Sequence, residues 1–200
     1  MNYAINVNVE TDFDELITCE WESYEQLFQS FFRLFCPVYD SGREDSLKQS
    51  IATQLEWHKP DPHAHWLKVM EKSTGKIVGG AWYKIYTEDS FTDVEEEVVD
   101  WYPEDSTREF VSQASEQLDT PRMLYANRPQ VFLNIIFTRP DYQRKDLDKA
   151  KELDVEFWLN ATRYGKPLYE KNYLMPKTDN PDEKWTELEK EMGEMVFWTK

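Results

Sequence analysis

The sequence is poor in glycine, cysteine and positive charge. Its 200 residues include 6 glycines, 2 cysteines and 3 histidines, and 23 basic residues face 39 acidic ones for a formal net charge of −16. Cys19 and Cys36 are too few for a disulfide framework, so we expect two reduced, partly buried thiols. The acidic excess opposes binding to nucleic acid or to an anionic membrane, and it favours cationic ligands.

Long hydrophobic runs are also absent. No apolar stretch reaches the roughly 20 residues that cross a bilayer, and the opening MNYAINVNVE lacks a signal-peptide pattern, so we expect a cytoplasmic protein. Hydrophobic residues make up 40% of the chain and aromatic residues 15%, which favours a packed globule over disorder. The length suits a single domain over residues 1–200.

The strongest pattern is a strand, a short helix and a second strand in the last third of the chain. VFLNIIF (131–137) is apolar on both faces, which predicts a strand buried inside a sheet. Residues 146–153 carry one apolar stripe, as a short helix would, and residues 155–161 alternate like a strand. The short connection predicts a right-handed parallel crossover. A further helix is predicted over residues 166–172, with Pro167 in its first turn.

Two helical regions and a strand are predicted near the N-terminus. Residues 5–9 alternate as a short strand, and a helical region over 11–35 is predicted to start at Thr11, with Asp14 approximating a capping box. A second, amphipathic helix is predicted over residues 44–57.

A hairpin is predicted next, from residues 65–72 and 77–86 around the turn STGK. The pair Gly79-Gly80 inside its second strand indicates a bulge or the close approach of another backbone. The three histidines all fall within residues 58–65, together with Asp61. Because two prolines interrupt this stretch and no distant Cys or His completes a ligand set, we predict a surface turn and no metal site.

The segment at about 87–120 is the most acidic part of the chain. Between Glu88 and Asp119 it has twelve acidic residues and the single cation Arg108, and it is interpreted as a solvated acidic insertion. Near the C-terminus, residues 185–192 and 195–198 are predicted to form an antiparallel pair of strands, although the first is equally helical by propensity.

Two motifs carry a family resemblance. PDYQRK after the apolar strand and WLNATRYGKPLYEKN after the crossover resemble the GNAT superfamily of acyl-CoA-dependent N-acetyltransferases, particularly its fungal members. The resemblance covers most of the chain in layout and residues 140–174 in motif. It implies an α/β (α+β) fold with a mixed central sheet and helices on both faces, and it tips residues 185–192 towards strand.

The resemblance implies a pyrophosphate loop for acetyl-CoA at residues 143–148. The family pattern is Q/R-x-x-G-x-G/A, but Asp146 and Asp148 stand at both glycine positions. Glycine permits close backbone approach to a phosphate at a helix start, whereas two carboxylates at about 4 Å would cost a few kcal/mol. Alternatively, Asp146 is simply the N-cap of a short helix. That helix spans roughly 12 Å against roughly 23 Å for a seven-residue strand, which suggests that residues are lost between Lys145 and Asp146 through a deletion, alternative splicing or a gene-model error.

The resemblance also assigns site residues. The expected contacts to acetyl-CoA are Ile136, Phe137, Thr138, Gln143, Arg144 and Lys145. Tyr169 matches the tyrosine of the family motif L-Y-E-K-x-G-F and is the implied donor of a proton to the departing thiolate, with a structural aromatic as the alternative. By position only, candidates for the general base are Glu20, Glu22 and the run 95–97.

Three hypotheses about function follow. The chain is an acyltransferase of weakened cofactor affinity that acts on a small or cationic amine. Alternatively, it is an inactive GNAT-fold protein that serves as a binding or assembly module, with a homodimer through the incompletely covered sheet. The third hypothesis is a repurposed enzyme whose cleft accepts another ligand.

Overall fold

The computed structural model describes residues 2–26, 30–87, 99–125, 128–142, 156–161, 170–174, 178–192 and 195–199. The chain divides into two compact units, residues 1–86 with 131–157 and residues 87–130 with 158–200. Seven elements lie wholly or mainly in the first unit: β1 (Asn2–Asn6), α1 (Val9–Gln26), α2 (Phe32–Phe35), α3 (Arg43–His58), β2 (Ala64–Glu71), β3 (Ile77–Tyr86) and β4 (Gln130–Thr138). Five lie wholly or mainly in the second: α4 (Ser106–Tyr125), β5 (Glu156–Ala161), β6 (Glu170–Leu174), α5 (Glu183–Met192) and β7 (Met195–Thr199).

The first unit is built on a sheet with the strand order β1-β2-β3-β4. β1 and β3 both run antiparallel to β2, and Trp66 pairs with Trp82 across the β2–β3 hairpin. β4 is antiparallel to β3, because the N–H of Arg139 donates to Val78 O at 2.9 Å at one end and Val131 packs with Tyr83 at the other. The predicted hairpin, the strand at 131–137 and the helix at 44–57 are therefore confirmed.

The first helix begins earlier than predicted. α1 starts at Val9, and Asn8 is its cap: Asn8 O accepts from the N–H of Asp12 at 2.9 Å, and Asn8 Oδ1 accepts from the N–H of Glu10 at 3.1 Å. Asp12 Oδ2 in turn accepts from the N–H of Asn8 at 2.7 Å, so the cap residue and the first turn each satisfy a backbone donor of the other. The predicted start at Thr11 was wrong, and the strand predicted to reach Val9 ends at Asn6.

The core of this unit lies where α1 and α3 cover one face of the sheet. A ladder of stacked indoles runs from Trp57 on α3 through Trp82 to Trp66, with ring centroids 6.4 and 5.6 Å apart. Phe13 of α1 packs edge-on against Trp66 at 5.6 Å. Cys19 and Cys36 are free thiols, as predicted, and both are fully buried in this core.

Both interpretations of the glycine pair are confirmed. Val69 pairs with Gly79 but Met70 pairs with Ile77, so Val78 is the extra residue of a bulge in β3. A Cβ on Gly79 would lie 2.8 Å from Phe137 O, and one on Gly80 would lie 2.7 Å from Leu16 Cδ1. Glycine here lets the bulged strand approach β4 and α1.

The second unit corrects two predictions. Residues 183–192 form the helix α5, and β7 pairs with β5 and β6, not with residues 185–192. The helix predicted over 166–172 is wrong for its last three residues, since 170–174 form the strand β6. α4 begins within the acidic segment, and its Phe110 packs edge-on against the buried Trp185 of α5 at 5.1 Å. Among the helices that the structure describes, none has the length and apolar character to cross a membrane.

Candidate functional site

The carboxyl end of β4 holds the described part of the predicted site. Phe137 is buried in the core, whereas the side chain of Ile136 is 47% exposed and Thr138 is half-buried. The other predicted site residues lie outside the described residues: Gln143, Arg144, Lys145, Asp146, Asp148, Tyr169 and the run 95–97. The crossover helix predicted at 146–153 lies outside them too.

Side-chain alternation changes along β4. Val131 and Leu133 pack with Tyr83, whereas Ile135 and Phe137 pack in the core beneath α1. Odd-numbered residues of a regular strand share one face, so the change between 133 and 135 indicates a bulge. A bulge leaves backbone groups of the strand unpaired and able to meet a ligand.

Asn134 lies at this change of alternation. Its Oδ1 is buried and has no hydrogen-bond partner among the described residues. An unsatisfied buried acceptor costs about 1–3 kcal/mol, and a donor supplied by a ligand would recover that energy. Asn134 therefore offers a polar contact on β4, two residues before the exposed Ile136.

A buried tyrosine holds the backbone near the end of this strand. Tyr24 of α1 donates its hydroxyl to Ile136 O at 2.9 Å, and its ring stacks on Phe32 with centroids 4.8 Å apart. Burial, followed by the nearby Glu20 and Cys36, raises the pKa of Tyr24 well above its usual value. The phenol therefore keeps its proton and acts only as a hydrogen-bond donor.

Arg139, the residue directly after β4, ties the end of this strand to β3. Its N–H donates to Val78 O at 2.9 Å, its Nε donates to Ile77 O at 3.2 Å, and its guanidinium is ion-paired with Glu22. The Arg139 side chain is only 11% exposed. Because Glu22 is neutralised by this cation, it is a poor candidate for the general base.

Glu20 is the second described candidate for the base. It is 1% exposed and accepts a hydrogen bond from Gln54 Nε2 at 2.7 Å. Burial raises the pKa of Glu20 to about 8. The carboxyl is therefore mostly protonated at neutral pH and sealed from solvent, so it cannot take a proton directly from a bound amine.

Two other features of the described residues have the composition of a binding site. The histidine segment is a turn, as predicted, in which His63 packs on Tyr86 at 5.0 Å and Asp61 pairs with Lys84 at 2.8 Å. Within the described part of the chain, no group of three His, Cys, Asp or Glu side chains is placed to hold a metal. In the second unit, a surface pocket of about 350 Å³ is lined by Glu109, Thr178, Asp179 and Asn180.

Tyr24 and Arg139 were not predicted as site residues. Tyr24 stands 112 residues from its partner Ile136, and no local pattern reports so distant a contact. Arg139 follows the strand directly, which was the one available hint, since a residue at the end of a buried strand often lines a site.

The comparisons with known proteins place this geometry in a known fold. No protein-family model matches the sequence, and no curated protein matches it. Solved structures do: Drosophila melanogaster polyamine N acetyltransferase, described as catalysing the formation of N acetylagmatine, is 12% identical with a TM-score of 0.58, covering 100% of this chain and 98% of that one. The fold is that of the GNAT acetyltransferases.

Two further structures have this GNAT fold at similar distance. Arylalkylamine N-acetyltransferase 2 from Aedes aegypti is 14% identical with a TM-score of 0.57, covering 100% of this chain and 98% of that one. The C-terminal condensation domain of Ebony, in complex with beta-alanyl-dopamine, is 13% identical with a TM-score of 0.58 over the same shares. Likeness at such identity establishes the fold and leaves the reaction to be argued from the site.

Proposed function

We propose that this protein is an acyl-CoA-dependent N-acyltransferase that acetylates a primary amine and binds acetyl-CoA weakly. The observation that carries the proposal is the end of β4. Within this GNAT fold, β4 of the present chain changes its alternation at Asn134 and exposes Ile136. Tyr24 holds the backbone at Ile136, and Arg139 ties the residue after the strand to β3.

The residues present fit an acyl-CoA in part. The exposed Ile136 offers apolar surface, and the unsatisfied Asn134 Oδ1 offers an acceptor for an amide N–H. The proposed contacts to the arm of acetyl-CoA are Ile136, Phe137 and Thr138, and those to its pyrophosphate are Gln143, Arg144 and Lys145. The group, when bound, supplies an activated acetyl thioester.

The proton chemistry is assigned to Tyr169. In the proposed reaction an amide C–N bond forms and the thioester C–S bond breaks, so the amine loses a proton and the departing thiolate gains one. Tyr169 is the proposed donor of that second proton, because a phenol near pKa 10 can protonate a thiolate within hydrogen-bond reach. Glu20 and Glu22 are not proposed as the base, since one is neutral and sealed and the other is ion-paired.

A cationic amine is the proposed acceptor. The chain has a formal net charge of −16, which raises the local concentration of cations and speeds their association. The same charge works against acetyl-CoA, and Asp146 and Asp148 add two carboxylates where the family has glycine. Weak cofactor binding and a positively charged acceptor are thus two consequences of one charge distribution.

Calorimetric titration of acetyl-CoA at low salt tests the proposal. We expect binding in the micromolar range, near −8 kcal/mol. Removing both loop charges with Asp146→Asn and Asp148→Asn should tighten binding tenfold or more, because each removes repulsion from a phosphate. A control with Glu10→Gln and Asp14→Asn removes two exposed charges from α1 and should have little effect. No heat at millimolar acetyl-CoA would overturn the proposal.

A binding role without acetyl transfer is the second candidate. The two aspartates in the loop favour it, and so does the Ebony domain, a protein of this fold whose structure is described as a condensation domain with bound beta-alanyl-dopamine. In this candidate the exposed face at Ile136 meets a second copy of the chain or another ligand. Sedimentation of the wild type and of Ile136→Asp over a range of concentrations tests the homodimer, since only the wild type should associate.

A further inference from the structure

We propose that Tyr24 is a positioning residue for the acyl-CoA site, holding the end of β4 in the conformation that binds the ligand. This inference rests on the proposed function. It assigns a task to a side chain that does not itself touch the thioester. Its hydroxyl donates to Ile136 O at 2.9 Å, and this hydrogen bond joins α1 to the backbone near the end of β4.

The hydrogen bond to Ile136 O sets more than one backbone group. A peptide unit is planar and trans, so the C=O of Ile136 and the N–H of Phe137 point in opposite directions. Holding the carbonyl against α1 therefore also fixes the direction of the Phe137 N–H. Asn134, two residues earlier, lies at the change of alternation that indicates a bulge, so the direction of these groups depends on local contacts as well as on the strand.

Tyr24 is itself held rigidly. The residue is 8% exposed, and its ring stacks on Phe32 at an interplanar angle of 13° and meets Phe31 edge-on at 6.3 Å. A donor whose rotamer is fixed by packing loses little entropy when it makes its hydrogen bond, so it can define the geometry of a site.

The helix that carries Tyr24 is anchored in turn. Trp21 Nε1 donates to Ser50 Oγ at 3.1 Å, and Gln54 Nε2 donates to Glu20 Oε2 at 2.7 Å, which ties α1 to α3 one turn before Tyr24. After the strand, Arg139 donates to Ile77 O and Val78 O and is ion-paired with Glu22 of α1. The end of β4 is thus held from two directions, by a helix and by the bulged part of β3.

The substitution Tyr24→Phe tests the proposal, because it keeps the stacked ring and removes only the hydroxyl. We expect the Kd for acetyl-CoA to rise about three- to tenfold, as loss of one neutral hydrogen bond predicts, while KM for the amine stays unchanged. Without ligand, hydrogen exchange of peptides covering residues 133–139 should become faster. Tyr83→Phe is the matched control, a second buried tyrosine that stacks on His65 at 5.4 Å on a neighbouring strand.

The outcomes separate the inference from the function on which it rests. Unchanged Kd and unchanged exchange in Tyr24→Phe overturn the role of Tyr24, and so does an equal rise in Kd in Tyr83→Phe, which would report general destabilisation. Wild-type protein that binds no acetyl-CoA overturns the proposed function and the ligand role together. Wild-type binding with a selective loss in Tyr24→Phe supports both.

Discussion

Replacing Glu20 with glutamine should make the stability of this protein less dependent on pH. The carboxyl is 1% exposed, and Gln54 is its hydrogen-bond partner at 2.7 Å. Burial raises the pKa of Glu20 from 4.5 to about 8, because the hydrogen bond from Gln54 offsets only part of the cost of removing a charge from water. Glutamine has the shape of the neutral carboxyl and cannot ionise.

The sign of the effect follows from proton binding. Between about 4.5 and 8 the folded protein keeps a proton on Glu20 that the unfolded chain has released. The free energy of unfolding therefore falls as pH rises through this window, and each unit of pH well inside it costs about 1.4 kcal/mol. From about pH 5 to about pH 8 the loss sums to roughly 3 kcal/mol, which is a large part of the stability of an ordinary domain.

Urea unfolding of the wild type and of Glu20→Gln over this pH range measures the effect. The stability of the variant relative to the wild type should rise by roughly 3 kcal/mol from about pH 5 to about pH 8. Glu10→Gln removes the same charge from an exposed position on α1, so its difference from the wild type should stay nearly flat. A flat difference for Glu20→Gln as well would refute the conclusion that this carboxyl is buried and neutral.

One prediction about packing and one about a buried ion pair can be checked in the same urea experiments. Gly80→Ala should destabilise the protein by about 1–3 kcal/mol, because the added Cβ would lie 2.7 Å from Leu16 Cδ1; an unchanged midpoint would mean that the core yields without strain. Asp12→Ala should cost roughly 3 kcal/mol, because Lys68 Nζ, in a side chain 9% exposed, loses its partner at 2.6 Å and the N–H of Asn8 loses its acceptor at 2.7 Å. Lys68→Met should cost less than Asp12→Ala, since it leaves no unpaired cation in the core, and the reverse order would contradict this reasoning.

Periodicity predicted the elements whose burial is one-sided or complete. The hairpin of β2 and β3 and the strand β4 were found because their apolar residues recur with the strand period, and α3 because its apolar residues recur with the helical period. The start of α1 was misplaced because several polar residues that can cap a helix stand in a row. Asn8 and Thr11 both suit the N-cap, and only the observed hydrogen bond from the N–H of Glu10 to Asn8 Oδ1 distinguishes them.

The errors near the C-terminus have a different origin. WTELEKEM is helical by propensity, and family analogy overrode that preference, yet Asp182 caps α5 by accepting from the N–H of Trp185 at 2.9 Å. The sequence predicts helix for residues 170–172, but they pair with 197–199 of β7, and strand pairing between distant segments has no local signature. The Tyr24 contact with Ile136 was invisible for the same reason, since tertiary packing alone brings α1 to β4.

The burial of Glu20 also bears on catalysis. A general base must be ionised and within reach of the amine. Burial raises the pKa of this carboxyl to about 8, and its described hydrogen-bond partner is Gln54 in the core. If Glu20 were nevertheless the base, Glu20→Gln would abolish turnover while leaving acetyl-CoA binding intact. We expect the opposite: turnover retained in Glu20→Gln, because the glutamine still anchors α1 to α3 and so leaves Tyr24 in place beneath β4. The substitution that removes the pH dependence of stability should therefore leave the acetyl-transfer rate nearly unchanged at neutral pH.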